Sequence, residues 1–130
     1  YFAHWLSIGK STDADKLPKV FFVNWFRRDD EGRFLWPGYG ENSRVLKWVF
    51  ERVDGDSTAI DTPIGKVPPA EALDVAGLDI DATDLDTLLA VDADGWKAAI
   101  PQIRTHYDQF GTKLPASLQL AVDTLEAALT

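Results

Sequence analysis

The stretch LPKVFFVNWFRRDDEGRFLWPGYGENSRVLKWVFERV, Leu17 to Val53, changes character repeatedly, and the order of the changes sets the expected fold class. Pro18 gives an extended lead-in, and Val20 to Phe26 is an apolar run rich in β-branched and aromatic residues, which predicts a strand covered on both faces. RRDDEGR follows as a charged turn in which Gly32 is free to take positive φ. Phe34 to Trp36 is then short enough to pair back as a hairpin arm before Pro37 stops it. Phe26 and Phe34 are therefore expected to lie near each other across the mouth of one turn. From Val45 the period changes: Val45, Leu46, Val49, Phe50 and Val53 recur on one helical face, with Glu41 or Asn42 at its N-terminal boundary.

Upstream, YFAHWLSIGK has no initiator Met, polar lead-in or N-cap. Yet Phe2, Trp5, Leu6 and Ile8 have the spacing of a helix already under way, ended by Gly9. The expectation is a piece cut from a longer polypeptide. Downstream, residues 54–82 are Pro-, Gly- and Asp-rich and predict a surface connector with one short helix around Ala70 to Leu73. Residues 83–130 predict helices. Leu85, Leu88 and Leu89 make a short amphipathic piece. Trp96, Ile100, Ile103, Tyr107 and Phe110 form one stripe ended by Gly111, with a kink expected at Pro101; Leu118, Val122, Leu125 and Leu129 form another behind Pro115. The fold class is therefore α+β: a short strand hairpin near the N-terminus followed by a mostly helical C-terminal half, in one domain spanning 1–130.

With 130 residues and 45% apolar content, the chain is the size of one modest domain. A net charge of −8 argues against nucleic acid or an anionic membrane as partner, since phosphate binding relies on clustered Lys and Arg that release counterions. Cys is absent, which removes disulfides and thiolate metal sites. No signal-peptide pattern and no bilayer-length apolar run is present, and the expected location is cytoplasmic.

Catalytic constellations are missing from the pattern. His4 and His106 fall on separate predicted helices without a Ser or Cys partner, no His/Asp/Glu spacing has metal-ligand form, and no G-x-x-x-x-G-K-[ST] loop occurs. The Asp-rich stretch from Asp74 to Asp94 lacks calcium-loop spacing and reads as a solvated face. What remains is an aromatic cluster on a turn-rich segment beside a helix N-terminus. A purine is flat and apolar on its faces and hydrogen-bonds around its edge, so its pocket needs aromatic walls and a few fixed polar groups. Phe26, Phe34 and Tyr39 can supply walls, and stacking is worth roughly 1–3 kcal/mol per base. Asn42 can offer donor and acceptor, and the N–H groups near Gly40 and Glu41 are placed to meet a carbonyl at the helix start. Trp25, Trp36 and Gly38 would support the loop. Two alternatives stay open: a satellite core in which these aromatics close the sheet of a structural lobe, and a non-catalytic platform for a sugar ring or single-stranded base.

The segment VNWFRRDDEGRFLWPGYGENSRVLKWVFERV, with YFAHWL and LPKVFFVNWF before it and TPIGKVP after it, closely resembles the guanine-nucleotide region of GTP-dependent phosphoenolpyruvate carboxykinase. The likeness is specific from Tyr1 to about Pro69; beyond that it lies in helical character. The resemblance implies a guanine sandwiched by Phe26 and Tyr39 with Phe34 alongside, and an edge-reading Gly40-Glu41-Asn42 element; the family usually has Phe where Tyr39 stands. It also implies a piece of the nucleotide-binding lobe of a larger cytoplasmic enzyme of gluconeogenesis. In that Mn²⁺-dependent reaction oxaloacetate is decarboxylated to an enolate that takes the γ-phosphoryl of GTP, giving phosphoenolpyruvate, CO₂ and GDP. The family's metal ligands, phosphate loop and catalytic residues match nothing in these 130 residues. The chain is therefore expected to hold no catalytic or metal residue, to have the remaining N-terminal part of the enzyme as its partner, and to be inactive alone.

Overall fold

A computed structural model describes all of residues 1–130. The chain divides into two compact units: Tyr1–Pro18 with Asp92–Thr130, and Lys19–Val91.

The first unit is helical. Helix α1 (Phe2–Ile8) runs from the first residues to Gly9, as its apolar spacing predicts. Two longer helices of this unit, here named α4 (Ala93–Asp108) and α5 (Ala116–Ala128) to keep chain order, carry the stripes expected of them. Ile100, Val122 and Leu129 are buried at the centre, with Ile103, Tyr107 and Leu125 packed around them. Asp92 caps α4 by accepting a hydrogen bond from the Gly95 N–H at 2.8 Å, and the helix continues through Pro101. Pro115 stands immediately before α5, where its missing N–H costs nothing. Arg104 of α4 donates to Asp123 and Glu126 of α5 at 2.8 and 2.6 Å, pairing the two helices on their exposed side.

The second unit contains helix α2 (Asn42–Asp54), strands β1 (Ile60–Thr62) and β2 (Gly65–Val67), and helix α3 (Ala82–Leu89). Its core is Trp48, Leu73 and Leu85, with Phe21, Val49 and Leu89 against them. The apolar stripe expected on α2 is buried only in part. Leu46, Phe50 and Val53 are solvent-exposed, and the deepest residue is Trp48, whose indole N–H reaches the Thr58 carbonyl at 3.2 Å. A single indole of that size satisfies the packing that several smaller side chains would otherwise share. The short helix expected near Ala70 is a single 3₁₀ turn, Ala70–Ala72.

The α+β class holds, but the strands lie elsewhere than the sequence pattern places them. Val20–Phe26 forms no strand, and Val20 and Phe22 are 91% and 96% exposed rather than covered. Two physical reasons are visible. The run has no partner strand to hydrogen-bond with, and an extended backbone gains little without one. In addition, the Asn24 side chain accepts the Phe26 N–H at 3.0 Å, bending the chain into an Asx turn where the apolar count alone continues a strand. The expected hairpin across RRDDEGR survives as one isolated antiparallel bridge, Arg28 to Phe34. The regular two-stranded hairpin is in the connector: β1 and β2 pair with Ile60 opposite Val67, Asp61 opposite Lys66 and Thr62 opposite Gly65. Asp61 and Lys66 form an ion pair across it at 2.5 Å.

Candidate functional site

The site begins with the charged turn. Asp29 organises it from within, its carboxylate accepting from the N–H groups of Glu31 and Arg33 at 3.1 and 2.8 Å, while Gly32 takes φ 85° as the turn requires. The two arms are then tied to α3. Arg27 donates to the carbonyls of Leu88 and Ala90 at 3.2 and 2.9 Å, satisfying the helix C-terminal end. Arg33 forms a fork on Asp84 at 2.6 and 3.2 Å, and Asp84 with Asp81 closes a capping box at the N-terminal end. The Arg33 hydrogen bond, with a weaker contribution from the Asp81 N–H, holds the Asp84 carboxyl below its usual range against the opposing effect of burial. Helix α3 thus clamps a turn that composition alone reads as solvated and charge-balanced. Nothing in the spacing announces these contacts, since Arg33 and Asp84 stand far apart in the chain.

The aromatic cluster divides into two layers. Leu35 and Trp36 are core, 2% and 5% exposed, and Trp25 lies beside Trp36 with ring centroids 6.5 Å apart. Phe26, Phe34 and Tyr39 face outward, at 72%, 46% and 92% exposure. Phe26 and Phe34 meet edge to face at 6.3 Å, as expected from the turn between them, and the Arg28 guanidinium sits 4.1 Å from the Phe34 ring centre. Arg28 also donates to the Gly32 carbonyl, so this cation is held on the ring by its own turn.

Beyond Pro37, Gly38 adopts φ 119°, ψ −170°, a conformation other residues reach only under strain. It aims the 3₁₀ turn Tyr39–Glu41 directly into α2. Of the backbone donors expected near Gly40 and Glu41, that of Glu41 is already engaged within the turn. The Glu41 N–H is taken by the Gly38 carbonyl at 3.1 Å and the Asn42 N–H by the Tyr39 carbonyl. The Glu41 carboxylate pairs with Arg44 at 2.7 Å, and Arg44 also donates to the Asp74 backbone carbonyl at 2.8 Å, so neither side chain faces the aromatic loop as a free charge. Asn42 does not cap the helix either; its Oδ1 accepts the indole N–H of Trp36 at 2.9 Å. Gly40 lies within this turn. Phe26 with Phe34, Trp25 with Trp36, and Trp36 with Asn42 are therefore side-chain contacts that the fold makes among the expected site residues.

Comparison with known proteins gives this arrangement its context. The profile of the family described as "Phosphoenolpyruvate carboxykinase C-terminal P-loop domain" matches residues 1–128. The chain belongs to that family. Among similar proteins, the "Phosphoenolpyruvate carboxykinase [GTP]" of Treponema pallidum (strain Nichols) is 50% identical over 130 residues, and that of Neocallimastix frontalis is 50% identical over the same length. The protein of the same name from Paenarthrobacter aurescens (strain TC1) is 43% identical over 129 residues. Each alignment covers 99% of this chain and 21% of the relative, so the chain spans about a fifth of the length of these carboxykinases. The phosphate loop that names the family's domain has no counterpart here in the form G-x-x-x-x-G-K-[ST]. No group of three or more His, Asp or Glu side chains converges in a way that could hold a metal ion. No helix is long and apolar enough to cross a membrane.

Proposed function

We propose that residues Trp25 to Asn42 form the guanine-binding part of a GTP-dependent phosphoenolpyruvate carboxykinase, whose reaction decarboxylates oxaloacetate and phosphorylates the resulting enolate with GTP. The observation that carries this reading is the split of the aromatic cluster. Leu35 and Trp36 do the packing, while Phe26, Phe34 and Tyr39 stay out of the core on a loop that α3 and Gly38 hold in place. Exposed aromatics on a fixed loop leave ring faces available for a planar ligand.

Phe26 and Tyr39 serve as the stacking walls, with Phe34 alongside, fixed by Arg28. Tyr39 keeps the ring face of the family's usual Phe and adds a hydroxyl at the wet edge. Asn42 reads the base edge. Gly40 and Glu41 set the spacing between Tyr39 and Asn42, with Glu41 stabilising the helix start through Arg44. The guanine nucleotide and the remainder of the carboxykinase polypeptide are the partners; phosphate, metal and oxaloacetate are handled by that remainder, in the cytoplasm, as part of gluconeogenesis.

The test is a titration of the chain with GDP and, separately, ADP, followed by tryptophan fluorescence, to which Trp25 and Trp36 beside the loop contribute. Saturable quenching by GDP with little response to ADP is expected. Equal responses to both nucleotides would contradict a guanine pocket.

A further inference from the structure

We infer that Trp36 is a positioning residue that sets which purine the site accepts, by turning the Asn42 amide so that its NH₂ group faces the base. This rests on the reading of the loop as a base pocket. The indole N–H is a donor with no acceptor capacity, so the Asn42 atom 2.9 Å from it has to be the carbonyl oxygen. That assigns the amide orientation on chemical grounds. Trp36 is 5% exposed, so burial holds the indole where it meets its partner. Turning the amide over would set two donors against each other and leave a buried N–H unpaired. Asn42 itself is only half-buried and stands at the first residue of α2, where its outer group can reach a ligand.

The consequence is a site that presents donors. Position 6 of a purine carries a carbonyl oxygen in guanine and hypoxanthine and an amine in adenine. An NH₂ group facing that position makes a hydrogen bond to the first two and opposes donor to donor in the third. Specificity built on a fixed polar group is strong because the wrong ligand leaves it unpaired. From the sequence, Asn42 offers donor and acceptor alike and a preference for guanine is expected; the orientation of the amide is what the indole contact adds. That orientation comes from a residue that touches no ligand.

The experiment is calorimetric titration of the full-length polypeptide carrying this sequence with GDP, IDP and ADP. It is carried out on the unmodified protein, Trp36→Phe and Asn42→Asp. The unmodified protein is expected to bind GDP and IDP within a few-fold of each other and ADP at least about tenfold more weakly, the factor one hydrogen bond is worth. Trp36→Phe keeps an aromatic ring but frees the amide to rotate, so the GDP-to-ADP preference falls about tenfold. Asn42→Asp is nearly isosteric, keeps an acceptor for the indole and replaces the outward NH₂ with oxygen; its preference shifts toward ADP, and it serves as the test should Trp36→Phe fail to fold. The inference is overturned if IDP is rejected as ADP is, or if folded variants retain the unmodified GDP, IDP and ADP ratios. If the unmodified protein itself fails to prefer GDP over ADP, the base pocket falls and this inference falls with it.

Discussion

Replacing Phe26 with Ala separates packing from binding. A fully buried Phe→Ala substitution costs about 3–5 kcal/mol through lost burial and the cavity left behind. Phe26 is 72% exposed, so about a quarter of its surface is buried, and its one ring contact is the edge-to-face meeting with Phe34 at 6.3 Å. Scaling the full cost by the buried share gives about 1 kcal/mol of stability. The same ring, as a stacking wall, contributes roughly 1–3 kcal/mol to base binding, so GDP affinity is expected to fall between about fivefold and a hundredfold or more. Urea denaturation followed by tryptophan fluorescence measures the first quantity, and calorimetric titration with GDP measures the second. A stability loss of 3 kcal/mol or more with unchanged GDP binding would refute the assignment and return Phe26 to the core.

Two further predictions concern the loop and its clamp. Gly38→Ala meets no atom within 4 Å of the added methyl group, so its cost is conformational: about 1–3 kcal/mol for a side chain at φ 119°, with weakened GDP binding because Tyr39 and Asn42 are re-aimed. Denaturation and titration of that variant check both effects. The depressed Asp84 carboxyl makes the clamp acid-sensitive. Its folded pKa lies below its unfolded value of about 4, so its contribution is complete above that pH and is lost as pH falls through the folded value. The acid limb of the stability curve should flatten in Asp84→Asn, and a limb identical to that of the unmodified chain would show that Arg33 and Asp84 do not couple to folding.

Much of the helical framework was legible because each helix announces itself locally. The stripes Trp96 to Phe110 and Leu118 to Leu129 repeat at helical spacing, and the residues they bury, Ile100, Val122 and Leu129, lie on or beside those stripes. The Gly32 turn and the nearness of Phe26 to Phe34 were equally local, set by a short connection that leaves few conformations. The strand assignments failed because β-structure depends on a partner that composition does not specify. Val20–Phe26 has the right residues and no ladder, while Ile60–Thr62 and Gly65–Val67 have modest composition and pair across a two-residue turn.

The sequence by itself determined the residue types of the candidate site, the glycine-flanked turn that presents them and the family to which the chain belongs, since these depend on identities and short spacings. Only the tertiary structure decided which aromatics pack and which face outward, because burial depends on neighbours distant in the chain. Leu35 and Trp36 are covered whereas Phe26 and Tyr39 are left open. Long-range contacts also set the roles of the polar groups. Arg33 clamps Asp84 on a distant helix, and closer in sequence the Trp36 indole N–H donates to the Asn42 side-chain oxygen.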